Sequence, residues 1–196
     1  LFHGWNVRQR RMPERRRPYS RRMPLPHPAP LPPQALLARY QRDGGYADCY
    51  VLDLPQPVSH EAFVAAFYTT RLFKLERLLL RWLMRRPSTD LDAQALAAGR
   101  SETFAAWTVE ARAPDQLLLC DVHGRTRSWL MVASAAAPGS TRLYFGSAVV
   151  PLVRRATRRP RMGLLFHALL GFHRLYSRAL LVAAARGLAG RTLGGA

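Results

Sequence analysis

The chain has 196 residues, 48% of them hydrophobic, and carries 30 basic against 12 acidic side chains for a formal net charge of +18. That length suits one domain with a substantial core. Cys49 and Cys120 stand alone, which excludes a disulfide framework and cysteine-based metal spacing and points to a reducing, cytoplasmic compartment.

The charge is uneven. Eight arginines and one acid, Glu14, precede Met23, and nine arginines without an acid follow from Arg154 onward. Between Tyr46 and Val150 the charges almost cancel, and Lys74 is the only lysine. Net charge without a reading motif does not make a specific nucleic-acid partner. Weak contact of the basic segments with an anionic membrane surface is the remaining expectation.

Residues 1–33 read as a disordered tail, basic from Arg8 to Arg22 and proline-rich from Pro24 to Pro33. The chain opens on Leu1, so Met12 or Met23 is a candidate start, and no apolar run follows the basic residues to make a secretory signal. Gln34 to Arg42 suits a short helix before Gly44 and Gly45. Tyr46 to Leu54 alternates as a strand through Tyr46, Asp48, Tyr50 and Leu52, and Pro55 and Pro57 end it.

Ser59 is an N-cap for a helix through Phe63, Ala66 and Phe67. The next helix runs from Leu72 to Arg85. Leu72, Leu75, Leu79, Trp82 and Leu83 share one face of it, and Lys74, Arg77, Arg81 and Arg85 the other. Pro87 halts that helix, and Thr89 with Asp92 forms a capping box for a third one ending at Gly99.

A meander of four strands follows. Thr103–Arg112 stops at Ala113-Pro114-Asp115, and Gln116–Val122 turns at His123-Gly124. Arg125–Ser134 turns at Pro138-Gly139-Ser140 into Thr141–Val150. With Tyr46–Leu54 this makes about five antiparallel strands. Residues 154–161 are a basic linker, Met162 to about Arg186 is one long helix, and residues 188–196 are a flexible, glycine-rich end. The apolar run from Met162 to Phe172 is too short to span a bilayer.

The element order of strand, two or three short helices, meander and long last helix resembles the START-like or SRPBCC superfamily, the helix-grip α+β fold of polyketide cyclases and lipid-transfer domains. Residues 104–110, 116–121, 125–130 and 141–147 carry the resemblance, together with 172–176 of the last helix. It covers about Tyr46 to Arg186, a single domain over residues 46–187, and is nearest to an uncharacterised bacterial branch. It implies an apolar cavity between the curved sheet and the last helix and carries no catalytic signature. One such fold hosts many functions.

Motifs add little: no nucleophile elbow, phosphate loop, dinucleotide fingerprint or metalloprotease motif is present, and no cofactor or metal is expected. Hairpin register puts Ala106, Thr108, Glu110, Leu118, Cys120, Arg127, Trp129 and Met131 on one sheet face, joined by Leu143, Phe145 and Ser147. Trp107, Val109, Leu117, Leu119, Leu130, Val132 and Tyr144 take the other.

The first face is read as the cavity lining, because its small residues leave room and it carries Glu110 and Arg127. The candidate ligand-binding residues are therefore Glu76, Glu110, Arg127, Trp129, Phe145 and His173, with Glu76 on the apolar side of its helix expected to pair with Arg127 or, at the cavity mouth, with Arg125. The function expected is binding of an apolar or amphipathic small molecule. The alternatives are a cyclase, dehydratase or hydrolase using a cavity carboxylate, or a structural protein, a homodimer, without ligand.

Overall fold

The computed structural model describes residues 24–43, 45–85, 87–150 and 164–193. The sequence alternation of Tyr46–Leu54 is strand β2, and a two-residue strand, β1 (His27–Pro28), pairs with it at Val51 and Tyr50. Helix α1 (Ala38–Arg42) separates the two. Three helices follow: α2 (His60–Tyr68), α3 (Arg71–Met84) and α4 (Asp90–Ala97). The meander is β3 (Thr103–Phe104), β4 (Trp107–Ala113), β5 (Gln116–Asp121), β6 (Thr126–Ser134) and β7 (Thr141–Val149), and α5 (Leu164–Leu193) ends the fold.

The caps explain the helix starts. Ser59 Oγ accepts from Ala62 N, Thr70 Oγ1 from Phe73 N, and Thr89 and Asp92 form the reciprocal capping box. Gly99, just past α4, takes φ +72, the left-handed residue that closes a helix.

All strand pairs are antiparallel, in the order β1-β2-β7-β6-β5-β4-β3, so β2 closes on β7 across the whole intervening chain. The five expected strands are the five long ones; β1 and β3 are two-residue additions. The strand expected over Thr103–Arg112 is broken, because Ala105 (φ 52) and Ala106 turn the chain between β3 and β4.

The inner face of the sheet presents Tyr50, Leu52, Leu117, Leu119, Leu130, Leu143 and Phe145 to α2, α4 and α5. Phe63, Phe67 and Tyr68 of α2, Leu96 of α4, and Leu181, Ala184 and Leu188 of α5 complete this core. Leu188 is buried there and its carbonyl accepts from Gln56 Nε2, so the glycine-rich end expected to be flexible continues as helix to Leu193.

The outer face is covered as well, by a part of the chain expected to be free. Residues 29–40 lie across Cys49, Val51, Leu118, Trp129, Met131 and Ala148, with Ala35 and Leu37 buried among them. Gln116 fastens this strap: its Oε1 accepts from Leu36 N and Trp129 Nε1, both at 2.9 Å, and its Nε2 donates to Gln34 O. The proline-rich segment from Pro24 therefore belongs to the domain rather than to a tail, because the apolar outer face needs a cover. The basic stretch Arg8–Arg22 and the linker 154–161 lie outside the described residues.

Candidate functional site

A cavity of about 200 Å³ lies between the inner sheet face, α3 and α5. Strand alternation places Trp107 (β4), Ser128 (β6), Phe145 and Ser147 (β7) on its floor. The Thr70 cap sets the phase of α3 so that Phe73 and Glu76 turn inward, and the spacing of His173, Tyr176, Ser177 and Leu180 brings one side of α5 over them. A wider groove of about 530 Å³ lies at the sheet edge between Pro28–Leu31, β2, Arg174 and Arg178. It is more open and more polar, so the inner cavity is the better site.

Two polar groupings face each other across aromatic walls. At one, the Tyr176 hydroxyl donates to Glu76 Oε2. Burial holds the Glu76 carboxyl above its ordinary range, and the hydrogen bond from Tyr176 opposes that shift in part. Burial raises the Tyr176 phenol too, with the neighbouring Glu76 charge adding to it. Beneath, the buried Tyr68 hydroxyl is 3.1 Å from Ser128 Oγ.

At the other grouping, Ser147 Oγ lies 2.7 Å from Asp48 Oδ1 and 2.6 Å from His173 Nε2. Serine, histidine and aspartate meet here, but their connectivity is not that of an activated nucleophile. Ser147 Oγ donates to Asp48 Oδ1, so its one proton is directed at the carboxylate and away from the imidazole. Asp48 Oδ2 lies 3.7 Å from that same Nε2, whereas a catalytic carboxylate orients the imidazole from its far nitrogen. The grouping is a hydrogen-bonded strut between β2, β7 and α5.

Of the residues singled out from the sequence, Glu76, Phe145 and His173 line the cavity. Glu110 and Trp129 do not, and Arg127 borders it only at the strand. The Arg127 guanidinium lies on the outer face, paired with Glu110, with Nε 2.8 Å from the Tyr40 hydroxyl and Cζ over the Tyr40 ring. Tyr40 and Arg39 also meet Glu110, so this cluster anchors the strap to the sheet.

The expected choice of face is thus inverted: the face carrying Glu110, Arg127 and Trp129 is the strap side. The register of β7 is one residue off as well, since Phe145 pairs with Leu130 and Tyr144 with Met131. The expected Glu76–Arg127 pair is replaced by Glu76–Tyr176 and Arg127–Glu110.

Reading the sequence for chemistry passed over Tyr176, Trp107 and Asp48. Asp48 had a signal: it alternates with Tyr46, Tyr50 and Leu52, on the strand face that proves to be inner. Tyr176 had one too, as a hydroxyl within the leucine stripe of the last helix.

Among the described residues no group of histidine, cysteine and carboxylate side chains could hold a metal ion, and no helix is long and apolar enough to cross a membrane. Comparison with protein-family models, with curated proteins and with solved structures finds no match.

Proposed function

We propose that the chain encloses a small apolar or amphipathic molecule between the sheet and α5, in the manner of a helix-grip, START-like binding domain. The observation that carries this reading is the cavity itself, in which Phe67, Phe73, Trp107, Phe145 and Leu180 surround a carboxyl group held by a tyrosine. Ligand sites are typically apolar hollows with a few placed polar groups, on the order of 300–1,000 Å³. This one is smaller, which favours a short ligand with one polar end near Glu76.

Native mass spectrometry of the protein as purified, followed by calorimetric titration with short-chain alcohols and fatty acids, tests the reading. Binding is expected to weaken about tenfold in Phe145→Trp, which fills the cavity. A protein that takes up none of these compounds and carries no mass adduct would refute it.

A second reading rests on the Glu76 carboxyl, whose upward shift suits an acid or base of cyclase, dehydratase or hydrolase chemistry. Under that reading Glu76→Gln keeps ligand affinity and loses turnover. Under the binding reading there is no turnover to lose.

A further inference from the structure

Helix α3 uses only part of its apolar surface inside the protein. Phe73 and Glu76 turn inward, but Leu75, Leu78 and Trp82 are 56%, 48% and 81% exposed. At the helical step these three fall within an arc of about 60°. Single exposed leucines are ordinary, whereas an apolar stripe with an indole at its centre is a docking feature.

The charge around the stripe indicates the partner. Arg71 lies on the same arc, Lys74 beside it and Arg85 at the helix end, all three exposed. Six of the eleven basic residues between Tyr46 and Val150 fall within residues 71–86, and Glu76, the single acid there, faces the cavity. Lys74 and Arg77 share Asp90, and the stripe's surroundings stay cationic through Arg71 and Arg85.

A second copy of the chain fits poorly. A two-fold contact through this face would set its arginines against the same arginines. Nucleic acid would leave the apolar centre without a partner.

We propose that the outward face of α3 docks on an anionic lipid surface, the helix lying flat with Leu75, Leu78 and Trp82 in the headgroup region and Arg71 and Arg85 at the phosphates. Amphipathic interfacial helices combine these features, and tryptophan favours that depth. The proposal rests on the outer face alone and does not require the cavity to be filled.

The test is co-sedimentation with vesicles of phosphatidylcholine and with vesicles of an equimolar phosphatidylcholine–phosphatidylserine mixture, with tryptophan emission recorded in parallel. The wild-type protein is expected to bind the anionic vesicles with a blue shift in emission. Trp82→Ala combined with Leu78→Ser keeps the net charge and, both side chains being exposed, the fold, which circular dichroism verifies. This variant should bind about tenfold more weakly and lose the shift. Undiminished binding by the variant would mean that charge elsewhere in the chain suffices, and would overturn the proposal. So would binding by neither protein, and a Trp82-dependent dimer in light scattering would then identify a second copy as the occupant of this face. Ligand titration in vesicle-free solution reports separately on the cavity, so the two readings fail independently.

Discussion

Tyr176 of the last helix donates its phenolic proton to Glu76 of α3, joining the two helices that roof the cavity by a hydrogen bond in an apolar setting. The raised Glu76 pKa has a definite thermodynamic sign. The folded protein holds this proton more tightly than the unfolded chain does. The group's contribution is therefore fully present below the ordinary carboxylate range and is lost as pH rises through the window up to the folded value.

Urea unfolding at a series of pH values should show that loss in the wild type and its disappearance in Glu76→Gln, whose amide oxygen still accepts from Tyr176. Tyr176→Phe removes the donor, widens the window upward and costs about 1–3 kcal/mol at neutral pH. Identical slopes for wild type and Glu76→Gln would show that Glu76 does not titrate in that range.

Gln116 holds the strap by three hydrogen bonds, so Gln116→Leu strands Leu36 N, Trp129 Nε1 and Gln34 O together. A loss of about 3 kcal/mol or more is expected in denaturant unfolding. Leu37→Ala, at a fully buried strap position, should cost about 2–5 kcal/mol. Neither loss would appear if residues 29–40 were a free tail.

Gly146 sits where β7 passes beneath the strap. A Cβ there would lie 2.8 Å from Asp48 O, 2.8 Å from Leu37 Cδ2 and 2.9 Å from Trp129 Cε3. Gly146→Ala should destabilise by about 1–3 kcal/mol. Combined with Leu37→Ala the losses should be less than additive, since the shortened side chain relieves one of the three contacts. Strict additivity in thermal unfolding would contradict the packing.

Burial pushes the Cys49 thiol up to about 12, and the Asp48 carboxylate adds to the effect. Cys49 should therefore resist iodoacetamide in the native protein and react once urea opens the sheet, while half-buried Cys120 is alkylated first. Peptide mass mapping of a labelling time course distinguishes the two. Equal native rates would show that the strap opens freely.

Much of the architecture was legible where local chemistry is strong. Ser59, the Thr89–Asp92 box, Gly99, Gly124 and Gly139 each mark a boundary by a mechanism that acts within a few residues. The break at Ala105–Ala106 left no such mark, because two alanines carry no turn signal. The inner and outer faces could not be told apart from hairpin register, since both are apolar and both are buried. What decides between them is the strap, and its leucines follow so many prolines that composition alone reads as a spacer.

The site was legible in the inward placement of Glu76 but not in its partner. The phase of one helix is a local property, whereas the neighbour it meets depends on how α3 and α5 cross. Periodicity grouped Leu72, Leu75, Leu79, Trp82 and Leu83 on one face of α3, but leucines cover most of that helix's circumference, so it could not say that Leu75 and Trp82 stay outside.

Closure of β2 on β7 brings Tyr46–Leu54 together with residues made about a hundred positions later. A ribosome delivering this chain therefore presents an apolar strand long before its mate exists. The strap emerges earlier still, ahead of Leu118, Trp129 and Met131, the surface it covers. Until Thr141–Val149 is available, neither sheet face can be completed, and pairing at such long range is slow and exposes strand edges to other chains. Among the described elements, the strap and β2 are made early and must wait longest to settle on the surfaces they complete.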